Sequence, residues 1–378
     1  MSEAGLDRIP WRSIQVRYYD PDKDGLVLDC VQPLFRRLDG VAHEPYFVRH
    51  WRQGPHLRLN FRSTPDAWAN EVLPQATATL TRYLRRRPST ARLDGGALLE
   101  PHRRLAIREA ETGPLWPWYP DNSIQTEPYD DRRRILGGQR LADLVDAFHA
   151  ESTRMAFTTM ERICSGELTL LRVALDLMVA FAHVSVPPIS RGYLSFRSHA
   201  AGFASQCEDR DGVVAGFDAT YRQNARQLRA MVLAQVEAVD GTRTAPHVRD
   251  WIAFVHRQKE IARPLLARNE IDLDAAPRDP RQRQLHKVDF HQVLLSTDRH
   301  RTQILSSAWF RAHRLTINML YAHLARLGIT PIQRYLFCHL IACAVEEEYG
   351  ISPMEKAREF VASTAGPAGV DARHTGVA

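Results

Sequence analysis

The chain is 378 residues long, with 44% hydrophobic and 25% charged residues, a composition that excludes wholesale disorder and fibrous repeats. Its formal net charge is +6, and 46 of its 50 basic residues are arginine, whose guanidinium contacts carboxylates and phosphates through two nitrogens. A basic surface favours an acidic partner, either a nucleic acid or an acidic peptide, although coding bias produces the same arginine excess.

The sequence carries no evident targeting signal. No run approaches the roughly 20 apolar residues of a membrane-spanning helix, and the first residues lack the basic and apolar regions of a secretion signal. The five cysteines include no Cys-x-x-Cys pair, and an odd number of scattered cysteines indicates reduced thiols. We therefore expect a cytoplasmic protein without a membrane partner.

The N-terminal part is predicted to form a small sheet flanked by helices. Strict alternation predicts a strand over Ser13–Tyr19. Tyr46–Trp51 and His56–Arg62 are predicted to be two strands joined by a hairpin turn at Arg52–Pro55. The first two helices are predicted over Leu26–Leu38 and Ala67–Arg85. Residues 86–128 are rich in proline, glycine and charge, which predicts a long irregular insertion with one short element around Leu105.

The remainder is predicted to be helical, and one extended segment, Arg191–His199, interrupts the helices. The helices are predicted over Leu141–Val186 with a break at Ser165, then Phe217–Val239, His247–Arg268, Ser306–Leu327 and Pro331–Tyr349, with a polar loop over Asp272–Arg283. The fold class is therefore α+β: a small antiparallel N-terminal sheet packed with many helices. We expect a single domain over residues 1–378, with frayed ends at 1–9 and 364–378.

The standard cofactor motifs are absent from the sequence. It contains no phosphate-binding glycine loop, no His-Glu-x-x-His, no paired Cys-x-x-Cys and no nucleophile elbow. His286 and His291 lie on either side of Asp289, which is a weak metal signal, and the other histidines show no metal-ligand spacing next to carboxylates. We expect neither a metal ion nor any other cofactor.

The predicted strand His56–Arg62 has two chemically different faces. Its apolar residues share one face, and the other face carries His56, Arg58, Asn60 and Arg62. All four are hydrogen-bond donors with no acidic partner among them, so this face suits an anionic or carbonyl-rich ligand. The alternative is an exposed antiparallel strand with a solvated polar face.

The segment Arg191–His199 alternates in the same way. Read as a strand, it places five polar side chains on one face: Arg191, Tyr193, Ser195, Arg197 and His199. Tyrosine, serine, arginine and histidine together can transfer protons and stabilise an oxyanion. The alternative is an exposed edge strand.

Other polar residues give weaker signals. Ser296 opens a Ser-Thr-Asp-Arg-His run typical of a helix N-cap, and Tyr321 lies on the apolar face of its helix, where a core tyrosine is common. The arginine runs at residues 85–87, 103–104 and 132–134 lack the interleaved aromatic residues of a nucleic-acid surface. We expect no nucleic-acid partner.

Several of these segments, taken in order, resemble a known family. The segments that carry the resemblance are Trp11–Tyr19, Phe47–Arg62, Tyr129–Gly138, Phe148–Ser152 and Arg191–His199. They resemble the glutamate-elimination domain of class I lantibiotic dehydratases and its stand-alone thiopeptide relatives. The resemblance extends over nearly the whole chain, and it implies the fold of that elimination domain.

Two activities occur in that group. One enzyme eliminates glutamate from glutamylated Ser/Thr, and the other, the thiopeptide pyridine synthase, joins two dehydroalanines in a formal aza-[4+2] cycloaddition and then loses water and the leader peptide. The segments Ile317–Gly328, Gln333–Leu340 and Ala344–Glu347 resemble the pyridine synthases. Where elimination domains carry Arg-Tyr-Gly-Gly, this chain has Ile-Leu-Gly-Gly from Ile135.

The resemblance therefore implies a cofactor-independent cyclase. Its partners would be a precursor peptide with an acidic leader and a dehydrated, azole-containing core, together with other enzymes of the pathway. His199 and Tyr193 would transfer protons, Arg197 and Ser195 would hold the reacting amide, and Ser296 and Tyr321 would line the pocket. The substrate-binding residues would be Arg58, Arg62, His56 and Arg191.

Three other functions stay open at this point. A glutamate eliminase would use His199 as base and the arginines as a carboxylate clamp. A non-catalytic module would carry the precursor peptide to partner enzymes. A nucleic-acid binder has only the net charge in its favour.

Overall fold

The sheet lies near the N-terminus and contains four antiparallel strands in the part of the chain that the computed structural model describes, residues 9–274, 289–294, 296 and 306–364. The strands are β1 (Trp11–Arg17), β2 (His43–His50), β3 (His56–Arg62) and β4 (Ser123–Glu127), in the spatial order β2-β3-β1-β4. The three predicted strands and the hairpin that joins β2 to β3 are confirmed.

β4 corrects the prediction that residues 86–128 are irregular. It pairs with β1, with Gln125 opposite Gln15. The segment Ser-Ile-Gln-Thr-Glu has one aliphatic side chain, so hydrophobic alternation cannot reveal it, and the strand is defined by its pairing with β1. The short element expected around Leu105 is a helix, Leu99–Arg108.

Helices form much of the remaining described chain. The first four are α1 (Asp24–Leu26, continued by a π-helical turn Val27–Val31 and by Gln32–Arg37), α2 (Pro65–Ala67, continued by Trp68–Val72 and Leu73–Arg86), α3 (Leu99–Arg108) and α4 (Arg133–Leu136). Then come α5 (Gln139–Cys164), α6 (Leu170–Ser185), α7 (Ile189–Gly192), α8 (Leu194–Ser205), α9 (Arg210–Asp240), α10 (Pro246–Ala267), α11 (Asp289–Leu294), α12 (Ala308–Leu327), α13 (Pro331–Tyr349) and α14 (Pro353–Thr364). The helices predicted from the sequence are confirmed, whereas α4, α7, α8, α11 and α14 were not predicted as helices.

Local signals set several helix ends. The Thr64 hydroxyl accepts a hydrogen bond from the Ala67 amide at 3.3 Å, and Pro65 occupies the first turn of α2, where its missing N–H costs nothing. At the other end of a helix, Gly328 follows the last residue of α12 with a φ of +110°, a left-handed conformation that glycine adopts without strain.

The predicted strand over Arg191–His199 is wrong, because α7 and α8 occupy this segment. Phe196, Ala200 and Ala204 are all buried and recur every four residues, a helical period that becomes visible only beyond His199. Gly192 adds a second constraint, since a Cβ there would lie 1.9 Å from the carbonyl oxygen of Ala182. Close packing against α6 therefore fixes this turn.

The chain ends and one loop fall largely outside the described residues. Of the ends predicted to be frayed, residues 1–8 and 365–378 are outside. Ile9 is ordered by a hydrogen bond, because its carbonyl accepts from Arg62 Nη1 at 3.2 Å. The polar loop predicted over Asp272–Arg283 is described only as far as Asp274, and His286 of the weak metal signal is not described.

The chain divides into two compact units. The first unit comprises Met1–Met178, Thr244–Pro280 and Arg314–Arg334, and the second comprises Val179–Arg243, Arg281–His313 and Tyr335–Ala378. A single domain over residues 1–378 stays a prediction. Among the described residues no single helix has the length and apolar character of a membrane span, although α6 together with Ile189–Ser205 meets those criteria as a pair bent by 100°.

One face of the sheet forms the core of the first unit. Its side chains, fully buried, are Ile14, Val16, Phe47, Leu57, Leu59 and Phe61. Phe35 of α1 packs edge-on against Phe61 with ring centroids 5.3 Å apart, and Phe157 of α5 stacks on Phe47 at 5.4 Å. Each such side chain contributes about 1.5–3 kcal/mol by leaving water, so this face anchors the sheet to α1 and α5.

Candidate functional site

The opposite face of the sheet is polar, and it is buried as well. Six polar residues on β1 and β3 are each at most 5% exposed: Ser13, Gln15, Arg17, His56, Arg58 and Asn60. The predicted separation of β3 into an apolar and a polar face is confirmed, and the alternative of a solvated polar face is excluded. Buried polar groups need partners, so this face must find them within the protein or in a ligand.

Strand register orders these side chains into three rows across the sheet. Reading from β2 through β3 to β1, the rows are Tyr46–Asn60–Ser13, Val48–Arg58–Gln15 and His50–His56–Arg17. Residues directly opposite each other in neighbouring strands lie close enough to interact. The register therefore collects donors from three strands on one small surface.

A cavity lies over these rows, within the first unit. Helix α5 and the segment 128–136 cover it, and its space, including the part open to solvent, is about 530 Å³. The lining residues are Ser13, Gln15, Tyr46, Val48, His50, Arg58, Asn60, Pro128, Asp130, Asp131, Arg132, Leu136, Val145, Asp146 and His149. Concave surfaces with a few convergent polar groups are the usual form of a small-molecule or peptide site.

Arg58 is the cation at the centre of this surface. Its Nη1 donates to Asp130 Oδ2 at 3.3 Å, its Nε to His56 Nε2 at 3.4 Å and its Nη2 to His50 Nδ1 at 3.4 Å. Burial lowers the pKa of Arg58, although an arginine keeps its charge near neutral pH. The cavity therefore holds a buried positive charge beside two imidazoles.

Both imidazoles are neutral. Burial lowers the pKa of His50 to about 3, and burial with the neighbouring cations lowers the pKa of His56 well below its usual value. His50 Nδ1 also accepts from the Arg52 amide at 3.1 Å, so we assign the ring proton to Nε2, which lies 3.5 Å from Glu111 Oε2. This contact to His50 holds the pKa of the Glu111 carboxyl well below its usual range.

A carboxyl group that can exchange a proton lies on the α5 side of the cavity. The Tyr46 hydroxyl is 2.7 Å from the Tyr129 hydroxyl and donates to Asp146 Oδ1 at 3.1 Å. Burial raises the pKa of Asp146 to about 7. Asp146 Oδ2 is buried and has no hydrogen-bond partner among the described residues. A carboxyl that titrates near neutrality with an open acceptor is suited to general acid–base chemistry.

Asp146 was not predicted from the sequence, and the sequence offers little that would single it out. Asp143 and Asp146 both lie in the predicted helix, yet Asp143 is exposed whereas Asp146 is 5% exposed. The one available signal is Tyr129, which belongs to a segment that carries the family resemblance.

The predicted substrate-binding residues fall in different places. Arg58 lines the cavity, and His56 lies in the adjacent row, where Arg17 Nη1 contacts its Nδ1. Arg62, at the end of β3, pairs with Glu44 at 2.6 Å. Arg191 is exposed on α7.

The predicted catalytic row does not form a single face, because the segment is helical. Ser195 and His199 are four residues apart and share one face of α8, whereas Tyr193 and Arg197 share another. Tyr193 is fully buried, and its hydroxyl has no hydrogen-bond partner in the described chain. Burial also raises the pKa of Tyr193, so its hydroxyl stays protonated near neutral pH and can donate a hydrogen bond.

Ser195 and Arg197 are engaged within the second unit. Ser195 Oγ lies 2.8 Å from His313 Nε2, and Arg197 Nε donates to Glu346 Oε1 at 2.7 Å. His199 is half-buried. The catalytic roles expected for these residues stay predictions.

Two further predicted residues lie elsewhere. Ser296 is exposed, and residues 297–305 after it are outside the described chain. Tyr321 is 7% exposed, and the Arg334 guanidinium lies 4.7 Å from its ring centroid. Their role as pocket-lining residues stays a prediction.

Comparison with known proteins identifies the family. The family model for the lantibiotic biosynthesis dehydratase C-terminal domain matches residues 11–345. The structure of TbtD, a pyridine synthase from thiomuracin biosynthesis, is 32% identical with a TM-score of 0.74, and the match covers 90% of this chain and 99% of that one. TsrL shares the fold, with a TM-score of 0.71, 22% identity and coverage of 93% and 98%. No curated protein sequence matches. The chain belongs to the lantibiotic biosynthesis dehydratase C-terminal family.

Proposed function

We propose that this protein is a thiopeptide pyridine synthase. It joins two dehydroalanines of a precursor peptide in a formal aza-[4+2] cycloaddition and releases water and the leader peptide. The observation that carries the proposal is the 32% identity to the thiomuracin pyridine synthase over 90% of this chain and 99% of that chain. The likeness thus includes both compact units and nearly the full length of that enzyme.

This reaction requires the protein to position the two alkenes and to transfer protons to and from the peptide. An amide must be held as its iminol tautomer so that an azadiene can meet the second alkene, and holding both alkenes together supplies much of the rate as an entropy trap. Water and the leader amide must then leave, and each departure is helped by general acid–base catalysis. These demands fit a buried surface of neutral and cationic donors.

The cavity of the first unit supplies such a surface. Arg58, Asn60 and Gln15 present donors to a peptide carbonyl, and charge-assisted bonds from a buried guanidinium are the strongest of these. Asp146, with a pKa of about 7, can take the amide proton and return it. We therefore propose that this cavity binds the backbone amides of the core peptide.

The residues expected from the family resemblance keep their proposed roles. His199 and Tyr193 would transfer protons, Arg197 and Ser195 would hold the reacting amide, and Ser296 and Tyr321 would line the pocket. Replacing His199 by Ala in a folded protein tests the first of these roles, because unchanged turnover would remove His199 from the mechanism.

Product mass distinguishes the cyclase from the eliminase. The protein is incubated with a dehydrated, azole-bearing precursor and, separately, with a glutamylated precursor. A cyclase releases the intact leader and a macrocycle from the first substrate and leaves the second unchanged. Loss of glutamate from the second substrate alone would make the protein an eliminase, and binding without any mass change would make it a carrier of the precursor.

Leader recognition is the finer part of the proposal. The family acts on precursor peptides, and we propose that the arginine-rich surface binds an acidic leader. Affinity for the free leader should then fall steeply as ionic strength rises, because exposed charges are screened within about 8 Å at physiological salt. Salt-independent binding would contradict an electrostatic leader site.

A further inference from the structure

Three side chains of metal-binding type converge in the second unit. His339 and Cys343 are four residues apart on one face of α13, and Asp218 comes from α9. One ligand atom from each lies within 4.8 Å of the others. The sequence does not reveal this group, because Asp218 and His339 are 121 residues apart and only the fold brings them together.

The distances approach those of a tetrahedral zinc site. His339 Nε2 lies 2.9 Å from Asp218 Oδ1 and 3.4 Å from Cys343 Sγ. Tetrahedral bonds to Zn²⁺ place nitrogen and oxygen ligands about 3.4 Å apart and nitrogen and sulfur ligands about 3.6 Å apart. Outward shifts of a few tenths of an ångström would open the group to the size that the ion requires.

The arrangement does not suit a Cys-His-Asp catalytic triad. In a triad the acid and the nucleophile bind opposite nitrogens of the imidazole. Here the Asp218 oxygen and the Cys343 sulfur both approach Nε2 of His339. One proton on this nitrogen can serve only one of them, whereas a metal ion at the point where the three atoms converge would be bonded to all three.

The local charge suits a divalent cation. Arg197 Nη2 lies 3.5 Å from Cys343 Sγ, and Arg197 also pairs with Glu346. Burial raises the pKa of the Cys343 thiol and Arg197 opposes that rise, so the bound ion itself would have to displace the thiol proton. With the thiol deprotonated, Cys343, Asp218 and Glu346 carry three negative charges and Arg197 one positive charge. The remaining charge of −2 is neutralised by one divalent ion.

Packing and exposure leave the group ordered on one side and accessible on the other. His339 is 6% exposed, and its ring lies 5.7 Å from that of Phe217. The Asp218 side chain is 42% exposed, which gives an ion a route from solvent and leaves space for a water ligand. Mixed nitrogen, sulfur and oxygen donors are those that Zn²⁺ prefers.

We propose that Asp218, His339 and Cys343 form a zinc site whose fourth position is open to water. The test uses the full-length protein, stripped with a chelator and titrated with Zn²⁺ or Co²⁺. One equivalent of Zn²⁺ should be retained after desalting, and Co²⁺ should give the intense near-ultraviolet band of a thiolate–cobalt bond with tetrahedral visible bands. Absence of retained metal and of that band would overturn the proposal.

Variants assign the site. Cys343→Ser and His339→Gln should each weaken Zn²⁺ binding by at least about 100-fold, since each removes a ligand. Cys164→Ser removes an exposed thiol of α5 and serves as the matched control, which should bind Zn²⁺ as the unmodified protein does. If Cys343→Ser bound Zn²⁺ as tightly as the unmodified protein, Cys343 could not be a ligand and the proposed site would be wrong.

A measurement on the unmodified protein avoids any dependence on the folding of the variants. Peptide mass mapping follows the alkylation of each cysteine by iodoacetamide with and without Zn²⁺. Zn²⁺ should slow the alkylation of Cys343 by at least about tenfold, because the bonded thiolate is withdrawn from reaction, and it should leave Cys164 unaffected. Equal protection of the two cysteines would indicate nonspecific binding and contradict the site.

Discussion

The cavity over the sheet and helix α8 differ in how their buried polar side chains are held. In the cavity of the first unit, Asp146 Oδ2 is buried without a hydrogen-bond partner among the described residues. In the second unit, Ser195 and Arg197 each bond directly to a side chain of another helix. The cavity therefore keeps an open acceptor, whereas these two side chains of α8 already bond within the second unit.

The difference shows where a ligand would gain binding energy. A buried polar atom without a partner costs about 1–3 kcal/mol, and a ligand that supplies the partner recovers that cost. A side chain already paired must first break its contact. By this criterion Asp146 offers a ligand an open acceptor in the cavity, whereas Ser195 and Arg197 already connect helices within the second unit.

Removal of the central cation should have the largest effect. Arg58→Met keeps much of the side-chain volume but deletes the buried charge, and we expect turnover to fall by about 100- to 1,000-fold, as for loss of one preorganised donor. The measurement is the initial rate of macrocycle formation by mass spectrometry, with circular dichroism to verify the fold.

The matched control is Arg103→Met, an exposed arginine of α3 that pairs with Glu100. Exposed pairs of this kind contribute at most about 1 kcal/mol to stability, so the variant should stay folded. Because Arg103 does not line the cavity, turnover should stay within about twofold of the unmodified protein. If both variants lost activity equally, overall charge and not the cavity would govern the reaction.

Gly192 tests the claim that packing determines the α7–α8 region. A Cβ at this position would lie 1.9 Å from the carbonyl oxygen of Ala182, so Gly192→Ala should lower the free energy of unfolding by roughly 3 kcal/mol. Gly216→Ala is the control, because its Cβ would meet no described atom within 4 Å, and it should stabilise α9 by about 0.5–1 kcal/mol. Denaturant unfolding monitored by circular dichroism measures both changes, and equal stability of the two variants would contradict the close-packing argument.

Asp146 should make the free energy of unfolding depend on pH. Because the folded protein raises the pKa of this carboxyl from 3.8 to about 7, folding favours its protonated form. The resulting stability is fully present below the unfolded pKa and is lost as the pH rises through about 7. Between pH 5 and pH 8 the unmodified protein should therefore lose roughly 2 kcal/mol relative to Asp146→Asn, which does not titrate.

The measurement is the free energy of unfolding of both proteins at several pH values in one buffer series. Subtracting the two curves removes the contributions of the other titrating groups. A difference that does not change with pH would mean that Asp146 is charged throughout the range. Asp146 could then not exchange a proton near neutral pH.

The two regions also differ in how far the sequence could predict them. Both show alternation of polar and apolar residues, but β3 follows a hairpin turn and pairs with β1, which alternates in the same way. Arg191–His199 has neither, and its helical period is completed by Ala200 and Ala204, which follow His199 in the sequence. Alternation alone is thus insufficient without evidence for a pairing partner.

Other features depend on tertiary contacts that a single sequence does not reveal. β4 exists because it pairs with β1, and the burial that raises the pKa of Asp146 comes from the covering of the sheet by α5. Asp218 lies far along the chain from His339 and Cys343. The polar surface of β3 was predictable because strand periodicity is local, whereas these groups are assembled by the fold.

The smallest effect is expected at Tyr193, and it separates a structural from a catalytic role in the second unit. The Tyr193 hydroxyl is buried without a hydrogen-bond partner in the described chain, so Tyr193→Phe removes an unsatisfied group and should change the free energy of unfolding by at most about 1 kcal/mol, in the stabilising direction. Turnover should nevertheless fall by about tenfold or more if this hydroxyl donates the proposed proton. Unchanged turnover in the stabilised variant would assign Tyr193 to packing alone, and the proton transfers would then have to be carried by other groups such as His199 and Asp146.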